Sequence, residues 1–310
     1  MAGPKKSVAL SGVSVAETSI CSIDPDEGVL MYRGYDIAEL AERSTYEETA
    51  LLLLAGDAPS AEALDAFRTE LAGLRELPRA TAEAVDRQVA DAPPMDVLRS
   101  AASTLTAATP AQLIARLPTI VARYHRRREG LEPTAPDRSL SYSENFLTML
   151  RGERPSEREA RIFDIAMILH AEHELNASTF AARVVAGTGA DLTAAVVAAI
   201  AALSGPLHGG ANEAAMTFFE RAGSPDQAPD TVREALDAGE KLHGLGHPLY
   251  RAYDPRAQIL KGLSKELSEG AGEPNWYAIT EAVERTAFEE KGLYPNVDLY
   301  SGSVYRYLGI

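Results

Sequence analysis

Five of the six histidines fall between His170 and His247 in a chain that otherwise uses histidine sparingly. Imidazole titrates near neutrality, so such a grouping points to proton transfer or to polarisation of a carbonyl. His170 and His173 stand three residues apart in Leu-His-Ala-Glu-His-Glu-Leu-Asn. That spacing puts them on one helix face, with Glu172 and Glu174 as a solvated polar stripe. Asn176, Ala177 and Ser178 follow at once, which places His173 at a helix end opening onto a cavity. His208 lies in Gly-Pro-Leu-His-Gly-Gly-Ala-Asn, just ahead of a helix whose N-terminus favours a neutral imidazole or an adjacent anion. His247 closes Leu-His-Gly-Leu-Gly-His, where Gly244 and Gly246 allow close backbone approach of a ligand, and Arg251 lies four residues further on.

Two aspartates lie in the motifs that follow. Asp254-Pro-Arg256 reads as the capped start of a helix, and Asp298 in Tyr-Pro-Asn-Val-Asp-Leu-Tyr-Ser-Gly reads locally as the N-cap of the last helix. His208, His243, His247 and Asp298 are types that could hold zinc or iron. However, no HExxH pair is present, and helix-breaking glycines separate His243 from His247, so no metal is expected.

The elements that must position these residues are almost all helical. The one candidate for sheet is 12–35, where Val13-Ser-Val, Ile20-Cys-Ser-Ile and Val29-Leu-Met-Tyr surround a turn at Asp24-Pro-Asp-Glu-Gly28, predicting a small hairpin. After it, Ser44-Thr-Tyr-Glu47 reads as a capping box ahead of 50–55, with Gly56 as the stop. Ser60 opens a helix in which Leu64, Phe67, Leu71 and Leu74 recur at three and four residues. Further helices are expected after Pro78, Pro94, Pro110, Pro155 and Asp191, then over 211–221, 229–238, 255–268 and 274–291. The glycines near 204–210 and 243–247 suggest two units, a large domain over 1–208 and a smaller one over 209–310, hinged there.

The chain has 310 residues, with 30 Lys+Arg against 45 Asp+Glu, a net charge of −15. That balance argues against nucleic-acid or anionic-membrane binding, which need a basic face, but a few Arg and His in one cleft could still hold a small anion. The single cysteine, Cys21, excludes an internal disulfide framework or a multi-cysteine metal site. The longest nearly apolar run, 194–203, is far short of a membrane span. Lys5 and Lys6 precede too short an apolar run for a signal peptide, so the expected compartment is a reducing cytoplasm.

From about residue 10 to its last residue the chain resembles the citrate synthases, including the 2-methylcitrate synthases. The motifs that carry the likeness occur in the family's order. They are Ala16-Glu-Thr-Ser-Ile through Tyr32-Arg-Gly-Tyr-Asp-Ile, His173 in Glu-His-Glu-Leu-Asn-Ala-Ser, His208 in Gly-Pro-Leu-His-Gly-Gly-Ala-Asn, His247 in Gly-Leu-Gly-His, Arg256 in Asp-Pro-Arg, and Asp298 in Asn-Val-Asp-Leu-Tyr-Ser-Gly. The resemblance implies an all-α fold of a large and a small domain that closes over oxaloacetate, working as a homodimer. It also implies condensation of acetyl-CoA with oxaloacetate and hydrolysis of the thioester, with no cofactor beyond the acyl-CoA substrate. On this reading Asp298 is the base, His208 holds the thioester carbonyl, and His247 polarises the oxaloacetate carbonyl. His173 and Arg256 join His247 in binding oxaloacetate. The backbone of Leu242, Gly244, Leu245 and Gly246 lies against the CoA adenine, and Arg251 meets a CoA phosphate.

Some residues depart from the family pattern. Pro248-Leu249 stands where many bacterial members carry Arg-Val, and Leu299 replaces a common Phe. Family members also continue several tens of residues beyond the Leu-Gly-Ile that ends this sequence, adding two substrate-binding arginines and much of the dimer contact. A chain ending here is expected to turn over very slowly. Two alternatives accompany the leading reading: a 2-methylcitrate synthase using propionyl-CoA, and a non-catalytic relative that binds CoA or pairs with a full-length partner.

Overall fold

The computed structural model describes residues 16–247, 249–272 and 274–310. Val13-Ser-Val and Pro248 lie outside them. Strand β1 (Cys21–Asp24) pairs antiparallel with β2 (Val29–Tyr32), Cys21 opposite Tyr32 and Asp24 opposite Val29. A short β3 (Tyr35–Asp36) extends the expected hairpin to a three-stranded sheet. The turn forms because the Asp24 carboxylate accepts the N–H groups of Asp26 and Glu27, both at 3.1 Å, and Gly28 takes φ +65°. Leu30 and Tyr32 are fully buried, which anchors the sheet in the helical body.

Helices make up most of the rest. The first half holds α1 (Ile37–Arg43), α2 (Tyr46–Ala55), α3 (Ala61–Leu74), α4 (Arg79–Gln88), α5 (Pro94–Ala102), α6 (Pro110–Arg128), α7 (Tyr142–Arg151) and α8 (Glu157–Leu169). Then come α9 (Ala177–Ala186), α10 (Leu192–Leu203), α11 (Gly210–Ala222), α12 (Ala228–Asp237), α13 (Pro255–Ser268), α14 (Trp276–Lys291) and α15 (Val297–Tyr307). The all-α reading therefore holds, and the capping residues explain most boundaries. Ser60, Ser156 and Asp191 each accept an N–H from the first turn of the helix they open. At α2 the capping role falls one residue later than expected. Thr45 accepts from Glu48 N–H, while Ser44 bonds the Glu48 carboxylate.

Two further sequence expectations are corrected. His170 and His173 do not share a helix face, because α8 stops at Leu169 and His170 is its C-cap. The N–H groups that would continue the helix are instead taken by side chains of the sheet: Glu172 N–H by Tyr32 Oη at 3.2 Å and Glu174 N–H by Cys21 Sγ at 3.2 Å. Asp298 is not the cap of α15; Asn296 is, its side chain accepting Asp298 N–H at 2.9 Å. That shift leaves the Asp298 carboxylate available for another role.

One large apolar cluster joins the sheet, α1, α7 and α8 to α11 through α15, from Leu30, Ile37 and Ile162 to Leu260, Val283 and Val304. Two smaller clusters sit under α4–α6 and between α2, α3 and α6. No helix among the described residues is long and apolar enough to cross a membrane.

Candidate active site

Three segments carry the candidate site residues. The first is 170–176, between the end of α8 and the Asn176 cap of α9. Its His173 shares a 3.2 Å hydrogen bond between Nε2 and the Tyr250 hydroxyl. Its ring stands edge-on to that of His247, with centroids 5.2 Å apart and planes at 70°. Burial, helped by the nearby Arg256 guanidinium and His247, pulls His173 down to about 3, so it is neutral at ordinary pH.

The second segment runs from Leu242 to Arg256. Leu245 faces Pro295 in an antiparallel bridge: Gly246 N–H donates to Tyr294 O at 2.7 Å and Asn296 N–H to Gly244 O at 2.9 Å. The Asn296 side chain also donates to Gly246 O at 2.7 Å. Gly244 adopts φ +82°, and a Cβ there would meet Leu299 Cα at 2.9 Å. The loop before His247 is thus clamped against the start of α15, the helix that carries Asp298. His247 itself is oriented by its own chain. Its Nδ1 accepts the N–H groups of Leu249 at 3.0 Å and Tyr250 at 3.3 Å. The imidazole proton must therefore sit on Nε2, which makes that atom a donor. Burial lowers the affinity of His247 for a second proton, with Asp254 opposing and Arg256 reinforcing that effect.

Asp254 caps α13 and forms a bidentate pair with Arg256, at 3.0 Å to Nε and 2.8 Å to Nη2, both side chains buried. It also accepts Val297 N–H at 3.2 Å, so one carboxylate ties the starts of α13 and α15 together. Arg251 points elsewhere. It is exposed and pairs with Asp26 of the β1–β2 turn at 3.1 Å.

The third segment is the turn before α11. His208 Nε2 accepts Ser178 N–H at 3.3 Å and lies 2.9 Å from Ser178 Oγ. A backbone N–H can only donate, so the His208 proton belongs on Nδ1. Burial alone lowers the His208 pKa, and the ring stays neutral. One turn into α11, Asn212 donates to Ser301 Oγ at 2.7 Å and to the Asp298 carbonyl at 3.4 Å. Gly302 allows this approach, since a Cβ there would meet Met216 at 3.0 Å. His208 and Asp298 consequently stand at the starts of two closely packed helices. Asp298 is pushed up to about 6, mainly by burial, with Arg256 opposing and Asp254 adding to the rise.

Sequence reasoning singled out His173, His208, His247, Arg256 and Asp298 but missed the residues that hold them. Ser178, Asn212 and Asn296 lay within the quoted motifs, yet nothing in their spacing showed which ring or carbonyl each would reach. Tyr32 and Tyr250 were given no role. His243 lies apart, lining a separate cleft with Pro206, Glu213, Arg221 and Lys241. No three His, Cys, Asp or Glu side chains among the described residues are grouped so as to hold a metal ion.

The body is almost wholly helical, and its loops and helix starts carry two oriented imidazoles and a buried carboxylate, groups that suit a helical enzyme working by proton transfer and carbonyl polarisation. The comparisons narrow it. Residues 9–310 match the family described as citrate synthase, C-terminal domain. The chain is 44% identical to a citrate synthase of Haloferax volcanii over 97% of its own length and 84% of that protein's. It is 38% identical to a 2-methylcitrate synthase of Shewanella oneidensis over the same shares. The crystal structure of citrate synthase from Pyrobaculum aerophilum superposes with a TM-score of 0.91 at 40% identity, over 97% of this chain and 82% of that one. The chain belongs to the citrate synthase family.

Proposed function

We propose that the protein condenses acetyl-CoA with oxaloacetate to give citrate and free CoA. The observation that carries this reading is the pairing of tautomers: His208 is held as an Nδ1–H donor and His247 as an Nε2–H donor, both neutral. A thioester methyl group is a very weak acid, so its proton leaves only if the developing enolate oxygen is stabilised at the same time. Asp298 takes that proton, and His208 donates to the thioester carbonyl. A neutral donor suits this role because it does not lower the basicity of the carboxylate by pairing with it. The enol carbon attacks the keto carbon of oxaloacetate, whose oxygen His247 polarises through its Nε2–H, and the proton that Asp298 removed is returned to the new alkoxide, so that both the carboxylate and the neutral imidazole are restored. Water cleaves the resulting citryl thioester, and CoA leaves as the thiol.

His173, His247 and Arg256 bind oxaloacetate in this scheme. The backbone of Leu242, Gly244, Leu245 and Gly246 receives the adenine of CoA, and Arg251 exchanges Asp26 for a CoA phosphate. No metal or prosthetic group takes part. The 1–208 and 209–310 units act as the large and small domains, and closure between them excludes water until condensation is complete. The active form is a homodimer working in the cytoplasm. Helix α9 supports that assembly: it has no buried residue, and Val184 on it is 55% exposed, while Leu207 in the turn before α11 is 83% exposed.

Propionyl-CoA is the second acyl donor to consider, because one relative is a 2-methylcitrate synthase. One methylene changes binding by only about 1–3 kcal/mol, so the shared motifs do not choose between the two substrates. Oxaloacetate-dependent thiol release, followed for each acyl-CoA, tests the proposal. Faster release with acetyl-CoA is the expected result. Release with propionyl-CoA alone would reassign the substrate, and release with neither would refute the condensation.

A further inference from the structure

We infer that the N-terminal sheet is the positioning element of the oxaloacetate pocket, with Cys21 and Tyr32 setting the place of His173 and the β1–β2 turn setting the segment that leads from His247 to Arg256. This rests on the assignment of those residues to oxaloacetate made above.

The His173 segment has no regular structure of its own, so its N–H groups need partners from elsewhere. The sheet supplies them on both sides of the histidine. Tyr32 Oη accepts Glu172 N–H at 3.2 Å and donates its own proton to the carbonyl of Ile168, also at 3.2 Å, at the end of α8. Cys21 Sγ accepts Glu174 N–H at 3.2 Å and lies 3.5 Å from the Glu172 carboxylate. Cys21 and Tyr32 are directly opposed in the β1–β2 pair, so their two side chains act from a single rung. Glu174 is held at φ +59°, in the left-handed region a glutamate rarely enters. Such a conformation persists only where the surroundings hold it. Burial pushes the Cys21 thiol up to about 12, so it serves here as a hydrogen-bonding group in its neutral form.

The opposite end of the sheet touches the other half of the pocket. Arg251 N–H donates to Pro25 O at 3.0 Å, and the Arg251 guanidinium pairs with Asp26. Gly28 lies so close to the Tyr253 carbonyl that a Cβ would meet it at 2.9 Å. Residues 251–253 run directly into Asp254 and Arg256. One small sheet therefore grips both chain segments whose histidines stand 5.2 Å apart.

The test uses the full chain with four substitutions, one of them the control His173→Ala. Tyr32→Phe is nearly isosteric and removes the acceptor for Glu172 N–H. Cys21→Val removes the acceptor for Glu174 N–H, and Cys21→Ser restores one. The readouts are the oxaloacetate dissociation constant by calorimetry and the KM for acetyl-CoA at saturating oxaloacetate. Oxaloacetate binding is expected to weaken about tenfold in Tyr32→Phe and in Cys21→Val, with the KM for acetyl-CoA unchanged and Cys21→Ser within about threefold of the parent. Equal losses for both ligands would mean general destabilisation and would overturn the inference. So would unchanged oxaloacetate affinity in both variants while His173→Ala loses it. If His173→Ala itself binds oxaloacetate normally, the assignment of His173 fails instead, and the inference falls with it.

Discussion

The Nε2 atom of His208 accepts the backbone N–H of Ser178, the second residue of α9, and so leaves Nδ1–H as the only donor of that ring. A main-chain amide cannot reverse its role, which makes this a firmer constraint on the tautomer than a hydroxyl would be. His208→Ala should lower kcat by about 10²–10³-fold, the usual cost of removing one oxyanion donor, with little change in oxaloacetate affinity. Nitrogen-15 NMR of labelled histidine should report a neutral Nδ1–H ring throughout the working pH range. An imidazolium at pH 7 would remove the basis for the assignment.

Burial pushes the Asp298 carboxyl up to about 6. As the base it must be ionised, so kcat/KM for acetyl-CoA should rise with pH and level off above about 6. The same shift has a stability consequence of defined sign. A folded pKa above the unfolded one favours the native state at low pH, and that contribution is lost as pH rises from about 4 to about 6. Asp298→Asn should therefore abolish turnover yet stabilise the fold by about 1–3 kcal/mol at pH 8, with no gain at pH 4. Thermal melts at the two pH values decide the matter.

The buried Asp254–Arg256 pair behaves in the opposite sense. Arg256 and its own hydrogen bonds hold the Asp254 carboxyl below its ordinary range despite burial, so its stabilisation is present at neutral pH and is lost on acidification. Asp254→Ala would strand a buried guanidinium and the N–H of Val297. We expect a loss of about 3–5 kcal/mol in urea unfolding at pH 7.

Gly244→Ala tests the clamp between the loop before His247 and α15. The position has φ +82° and a backbone atom of Leu299 within 2.9 Å of any added Cβ. Because that neighbour is main chain rather than a flexible side-chain tip, the substitution should cost about 1–3 kcal/mol and lower kcat through displacement of Asp298. Unchanged melting and turnover would show that the clamp is slack.

The proposed dimer face predicts a change of mass in solution. Val184→Glu would place a charge on an exposed apolar helix, and sedimentation velocity should show a shift from dimer to monomer. A dimer that survives this substitution would place the interface elsewhere.

Much of this protein was legible in its sequence. Helix starts at Ser60, Pro94, Pro110 and Asp191 could be read because capping and proline geometry are local, acting within one turn. The histidine motifs were visible for the same reason, since residue type and nearby glycines are properties of a short stretch. What the sequence could not specify was any pairing across long separations. The end of α8 at Leu169 depends on Tyr32 and Cys21, more than 130 residues away, taking the N–H groups that would otherwise have continued the helix. The release of Asp298 from a capping role turned on Asn296 taking it instead, a choice between two good caps that only the bridge to Gly244 and Gly246 decides. Sequence thus determined which groups were available for chemistry. Tertiary packing decided which nitrogen of each imidazole carries the proton and which carboxylate stays unpaired, because both depend on donors and acceptors brought together only when distant segments fold against one another.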